Sequence, residues 1–394
     1  MNLLYICSFQ FDIRNDGVYS SPAYGDSFWG KYLNSFDSIT VLGEPEKDYI
    51  KDNSLVKIKD ERIKVFVIPA NSRPQDLVND RAVKRELRKH ISTASAILIK
   101  PASRKGVMAI RLAKKYNKNY CIELTGDLNL SLKTHKSLIR RLYRPIIHNK
   151  IVHAIKDCKY GLYVTSEYLQ KVYPIRGYQC GCTDTVLPSI DESVLHKRIQ
   201  KIKESNNGIT TIKLGLIGTY HDNRKGIDTA IKAISILDNK RIELHILGRG
   251  IEEDRKRWYS FAEKEKSRSQ LFFDSPKSSQ EEVFSWIDSI DIIILPSRSE
   301  GLPRCIVEAM SRACPCITSD VCGLPELIDK KWVHSPNDFR CLANHINAMV
   351  ENVDEMIQSA ELNFKKAHDF LLENLNKRRS MFFEKIITDI ESQA

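Results

Sequence analysis

Apolar residues along the chain alternate between short unbroken runs and longer stretches in which they recur at helical spacing. The unbroken runs fall at residues 3–8, 38–42, 65–69, 96–100, 120–124 and 162–165. Their near-continuous apolarity predicts strands of a parallel sheet covered on both faces. Amphipathic helical patterns lie between them at residues 26–34, 75–93, 104–116 and 132–155. A second series follows, with strands predicted at 213–218, 242–248, 271–273, 291–296 and 315–319 and helices at 227–237, 252–266, 281–289 and 304–312. Such strand–helix alternation predicts an α/β protein.

The polar stretch 197–208 ends in Lys203-Glu-Ser-Asn-Asn-Gly208 and reads as a connection between the two series. The expected organisation is an N-terminal Rossmann-like domain over 1–190, a linker over 191–210 and a second such domain over 211–365. A C-terminal helix over 366–394 is expected to pack back on the first domain. Ligands of such sheets bind beyond the carboxyl ends of the strands, so two facing domains would enclose a cleft.

A chain of 394 residues with 42% hydrophobic and 28% charged residues can bury two cores, which excludes wholesale disorder. No apolar run reaches the roughly 18 residues of a membrane span. The N-terminus Met1-Asn-Leu-Leu-Tyr5 has no basic leader, so a cytoplasmic protein is expected. The ten cysteines then read as reduced core residues; the pairs Cys180/Cys182 and Cys314/Cys316 lack metal-site spacing.

The chemistry concentrates where predicted strands end. Residues 294–310 run from a strand through a polar turn into a helix, with Pro303 at the expected first helical position. Gly301 permits close backbone approach, and the free amides of Leu302, Arg304 and Cys305 suit an anion. Glu300 and Glu308 bracket that site. Mutual repulsion argues against both serving one phosphate, whereas carboxylates accept hydrogen bonds from hydroxyls, so a polyol fits better. The alternative is a helix-start acid and a solvated acid. In the segment Gly218 to Asp228, Lys225 beside Gly226 at a helix start can reach a diphosphate; otherwise Arg224 and Lys225 form an exposed turn. The chain contains no P-loop, G-x-G-x-x-G, H-E-x-x-H or G-x-S-x-G motif, and no D-x-D pair for a metal-held nucleotide. Pyrophosphate would therefore be neutralised by Lys, Arg and helix amides, with no metal or other cofactor expected.

Ser299-Glu-Gly-Leu-Pro-Arg-Cys-Ile-Val-Glu-Ala-Met310, followed by Cys314-Pro-Cys-Ile-Thr-Ser-Asp-Val-Cys-Gly-Leu-Pro-Glu-Leu-Ile328, resembles the E-x7-E region of family 4 retaining glycosyltransferases with the GT-B fold. The likeness spans about residues 211–330. It implies a nucleotide-sugar donor held by the C-terminal domain, with Glu300 on the sugar, Glu308 on the ribose, Lys225 on the diphosphate and the base near Ser275 and Lys277. Two departures stand out. Thr219 occupies the place after Gly218 where the family carries Arg, leaving Arg224 or Arg304 to supply that charge. Thr125 occupies the place of the family's His in the first domain, leaving Asp127 as the catalytic candidate there.

The resemblance further implies transfer of a UDP- or GDP-bound hexose to a glycan hydroxyl with retention of configuration. Residues 11–25, long for a loop, offer Gly17, Tyr19 and, just beyond, Asp26 as residues closing over substrate. Between residues 133 and 159 stand Lys133, Lys136, Arg140, Arg141, Arg144, Lys150, Lys156 and Lys159 against one acid, Asp157, interleaved with Leu138, Leu142, Tyr143, Ile146 and Ile147. This is either a helix that docks on anionic lipid or a core-facing helix with solvated lysines. Lipid docking would suit a polyprenyl-diphosphate-linked acceptor in capsule or O-antigen assembly. The rivals are another nucleotide-sugar enzyme, an epimerase or phosphorylase, and a nucleic-acid binder suggested by the net charge of +11 but without any recognition motif.

Overall fold

A computed structural model describes residues 1–46, 55–71, 74–133, 138–205, 211–237 and 241–392. The chain divides into two units, Met1–Cys182 with the C-terminal segment from Asn376, and Thr183–Leu375.

The first unit contains β1 (Asn2–Arg14), β2 (Gly17–Ser20), α1 (Asp26–Leu33), β3 (Ser38–Pro45), β4 (Val56–Lys57), β5 (Ile63–Val67), α2 (Asp80–Thr93), β6 (Ala96–Ile99), α3 (Arg104–Lys115), β7 (Tyr120–Leu124), α4 (Leu128–Lys133), α5 (Leu138–Ile155), β8 (Tyr160–Tyr163), α6 (Tyr168–Val172) and β9 (Tyr178–Gly181). Its parallel strands lie in the order β5-β3-β1-β6-β7-β8-β9. The strand-order reversal beside β1 makes this a doubly wound sheet. Helix α2 shows how the pattern works: Val83, Leu87 and Ile91, four apart, form its buried stripe.

Two expectations change, and a third falls partly outside the described residues. The long loop over 11–25 is mostly a β-hairpin: β1 runs on to Arg14 and pairs antiparallel with β2, which pairs with β4. Alternation of apolar and polar residues from Phe11 to Arg14 suits a strand, whose apolar face is buried at Phe11 and exposed at Ile13. Of the helix expected over 132–155, the described parts lie in α4 and α5; residues 134–137, and so Lys136, lie outside the described residues. The linker over 191–210 is largely helix α7 (Ser193–Ser205); residues 206–210 lie outside the described residues. Arg198 holds this helix in the second unit, donating to the carbonyls of Ile287 at 3.0 Å and Ile290 at 2.5 Å, where a cation meets helix-end carbonyls.

The second unit continues with β10 (Ile212–Ile217), α8 (Ile227–Ser235), β11 (Ile242–Leu247), α9 (Glu252–Lys264), β12 (Leu271–Asp274), α10 (Gln280–Ser289), β13 (Ile292–Leu295), α11 (Arg304–Ser311), β14 (Cys316–Ser319), β15 (Val333–His334), α12 (Phe339–Glu351) and α13 (Val353–Ala367). Its strand order is β12-β11-β10-β13-β14-β15, all parallel. Helix α14 (Leu372–Glu391) leaves this unit and packs on the first, where Tyr160 donates to Asp389 at 2.5 Å and Phe383 meets Phe36. Among the described residues, no helix is long and apolar enough to cross a membrane.

Candidate functional site

In the second unit the strand order reverses between neighbours β10 and β13, the switch point where doubly wound sheets bind ligands. The loops that follow these two strands, residues 218–226 and 296–303, carry Lys225 and Glu300. Residue Gly226 starts α8 at φ +71, and a Cβ there would lie 2.0 Å from the Pro296 carbonyl oxygen. Only glycine combines that backbone with that contact, so the two loops touch main chain to main chain.

The stem of Lys225 lies across Gly218, whose added Cβ would fall 2.7 Å from Lys225 Cγ and 2.8 Å from Cε. Its Nζ ends 2.7 Å from Glu300 Oε1, which also accepts from Ser297 Oγ at 2.6 Å. Burial pulls the Lys225 ammonium down in pKa, but Cys305 and Glu300 beside it push harder the other way, and it stays above the ordinary lysine value. The pair is a charged, partly buried lysine–carboxylate contact, with side-chain exposures of 22% and 10%.

Helix α11 begins at Arg304, one residue after Pro303, which caps the helix and does not occupy its first turn. Glu308 is 7% exposed and accepts from Arg304 Nε at 2.7 Å. Burial pushes its carboxyl above the ordinary range, and Arg304 opposes this only in part. Gly301 and Leu302 are half-buried between Glu300 and the helix, with the Gly301 carbonyl accepting from Gly323 N at 3.2 Å.

Other expected residues fall elsewhere. Arg224 turns to Asp222, 2.8 Å away, and its side chain is exposed; Arg304 is paired with Glu308. Each of these two arginines thus faces a carboxylate, as Lys225 does, and Thr219 is half-buried. Ser275 and Lys277 are exposed just after β12, beside Asp274, whose carboxylate accepts from Trp286 Nε1 at 2.5 Å. Gly17 and Tyr19 belong to β2 of the first unit, where Tyr19 donates to Asp16 at 2.6 Å under the Arg14 guanidinium. Asp26 accepts from the main chain of Lys59 at 3.0 Å and of Asp60 at 3.3 Å, which ties α1 to the segment before β5. Asp127 is buried, and its oxygens accept from the phenols of Tyr168 at 2.8 Å and Tyr173 at 2.9 Å. Both aspartates thus anchor segments of the first unit through these contacts.

Two groups escaped the sequence reading. At the strand ends of the first unit, buried Glu123 accepts from Tyr5 at 2.5 Å and Tyr32 at 2.7 Å and pairs with Lys100 at 3.2 Å. Lys100 also reaches Thr125 Oγ1 at 3.3 Å. In the second unit, Arg298 binds the loop that carries Lys225. No local pattern marks either group, since each joins residues distant in sequence.

Two switch-point loops, a lysine–carboxylate pair and a second carboxylate on the following helix thus meet at one end of this sheet. Residues 211–352 match the family described as Glycosyl transferases group 1, so this unit carries a group 1 glycosyltransferase domain. Among full-length relatives, protein CapJ of Staphylococcus aureus is 26% identical over 395 aligned residues, 99% of this chain and 97% of CapJ. The amylovoran biosynthesis glycosyltransferase AmsK of Erwinia amylovora is 31% identical over 132 residues, 30% of this chain and 31% of AmsK. The crystal structure of Anabaena HepE in complex with UDP-glucose superimposes with a TM-score of 0.63 at 14% identity, over 98% of this chain and 100% of HepE. The fold is GT-B.

Proposed function

We propose that the protein is a retaining glycosyltransferase of cell-surface polysaccharide synthesis that takes its sugar from a UDP-sugar. The observation that carries this reading is the Lys225–Glu300 pair, 2.7 Å apart at the β10/β13 switch point, with Glu308 on the adjoining helix. A UDP-glucose complex of a protein with the same fold and the amylovoran role in AmsK's name support the donor class and the product class.

In the reaction, the bond between the sugar's anomeric carbon and the diphosphate oxygen breaks while the acceptor oxygen bonds to the same carbon on the same face. The acceptor proton passes to the leaving diphosphate. Negative charge grows on that leaving group, and Lys225 with the amides at the start of α11 offsets it. Glu300 accepts from sugar hydroxyls and Glu308 from the ribose, and the base lies beside Ser275 and Lys277. On this reading a chelator leaves turnover unchanged.

The acceptor is a lipid-linked glycan. Helix α5 exposes Leu138, Ile139, Leu142, Tyr143 and Ile146, with Lys133, Arg141 and Lys150 also exposed on this stretch. Apolar side chains amid cations match an anionic bilayer surface.

Donor consumption tests the reading. Removing one charge-stabilising donor typically costs about 2.7–4 kcal/mol in the transition state, so Lys225→Ala and Glu300→Ala should each lose about two decades or more of turnover while melting as folded proteins. Full activity in both variants would remove the assignment. Epimerised donor or sugar phosphate in place of transferred sugar would select an epimerase or a phosphorylase instead.

A further inference from the structure

Arg298, two residues before Glu300, makes polar contacts to separate segments of the second unit. Its Nη1 donates to the Asn223 carbonyl at 2.6 Å, and its Nη2 sits 2.8 and 2.9 Å from the two carboxylate oxygens of Asp228. Its Nε donates to Asn337 Oδ1 at 2.5 Å, and its main-chain N–H donates to the Arg224 carbonyl at 2.8 Å. One side chain thereby ties together both switch-point loops, the first turn of α8 and the turn after β15. Lys225 follows directly on the bound Arg224, and Glu300 lies two residues beyond Arg298.

We infer that Arg298 is a positioning residue that sets the register of the two loops and so holds Lys225 against Glu300. The planar fork suits the task, because it satisfies a carbonyl, a carboxylate and an amide oxygen in fixed directions, which an ammonium cannot do at once. The Asp228 carboxylate stands at the start of α8, where the helix dipole favours it. Arg298 thus meets an anion that the fold already holds in place. Asn223 and Arg224 bind Arg298 through their main chain, and the Asn223 side chain also accepts from the Asp228 N–H at 3.5 Å.

The inference rests on the donor-site reading for its catalytic consequence but not for its structural one, and the test separates the two. Hydrogen exchange of residues 219–226 in Arg298→Lys and Arg298→Ala should be at least tenfold faster than in the parent, with α9 unchanged. Unchanged exchange in that loop overturns the inference whatever the enzyme transfers. In donor turnover, kcat of Arg298→Lys should fall about a hundredfold, the scale of a misplacement of about 1 Å, with a smaller change in the donor KM. Added guanidinium ion, against potassium chloride at equal ionic strength, should restore at least a tenth of the lost rate to Arg298→Ala. A rate lost only in proportion to unfolded protein, with no rescue by guanidinium, would make Arg298 a stability residue and overturn the inference.

Discussion

Residue Gly218 shows how a single missing Cβ can serve chemistry. The space such an atom would fill is taken by the Lys225 stem, a flexible chain that can move aside at little cost to folding. Gly218→Ala should therefore lower donor turnover at least tenfold by displacing the ammonium from Glu300, with a melting temperature close to the parent's; equal turnover would show that the stem's path is unimportant. Glu308 gives the opposite balance of stability and function. Its pKa is raised by burial, so its ionised form is less at ease in the folded chain than in the unfolded one. The stability it contributes is present below the ordinary carboxylate pKa and lost as pH rises through the raised value. Glu308→Gln should melt above the parent at pH 8, with the gap closing as pH is lowered below that value, and should bind UDP more weakly by calorimetry. A variant less stable at pH 8 would reverse the sign argued here.

At the scale of elements, the strand ends of the two units carry different electrostatics. Strands β6 and β7 of the first unit end in the Lys100–Glu123 cluster. Burial pushes the Glu123 carboxyl up, but Lys100, Lys31 and the phenols of Tyr5 and Tyr32 together hold it well below the ordinary range. A depressed folded-state pKa means stability that is present above the ordinary carboxylate value, about 4.3, and lost as pH falls from there toward the folded value. Lys100→Met should cost toward the lower end of about 3–5 kcal/mol at pH 7, since a buried charge loses its counterion while keeping two phenols. Urea titrations at pH 7 and pH 3 should show the penalty shrinking in acid. Most strands of both sheets were readable as apolar runs; β2, β4, β9 and β15 were not, because these strands of two to four residues carry little apolar signal. Helix α7 was read as a connection because its polar positions mask a stripe of Val194, Arg198 and Ile202. The middle member of that buried stripe is an arginine, recognisable as a core position only once its carbonyl partners are in place.

Across the whole molecule, which carries a net charge of +11, two groups of cations differ in availability. The cations at the switch-point loops are engaged with carboxylates, Lys225 with Glu300, Arg224 with Asp222 and Arg304 with Glu308, so a bound diphosphate competes for charge already in use. The cations along α5 stand among exposed apolar side chains. Flotation with anionic vesicles at low salt should carry the protein upward, and Ile139→Asp with Leu142→Asp should leave it at the bottom while transfer to a short soluble acceptor persists. A parent protein that stays unbound would refute the membrane surface. The chain's own pattern determined the α/β class, the two doubly wound series and the E-x7-E helix start, because strand runs, helical stripes and strand–turn–helix motifs are local, written over a few turns of chain. Tertiary structure alone decided that Asp127 is held by two phenols, that Asp26 secures a turn, and that Arg298 grips Asp228 across 70 residues of sequence. A side chain's task depends on which polar groups and how much water surround it, and those are set when distant segments pack.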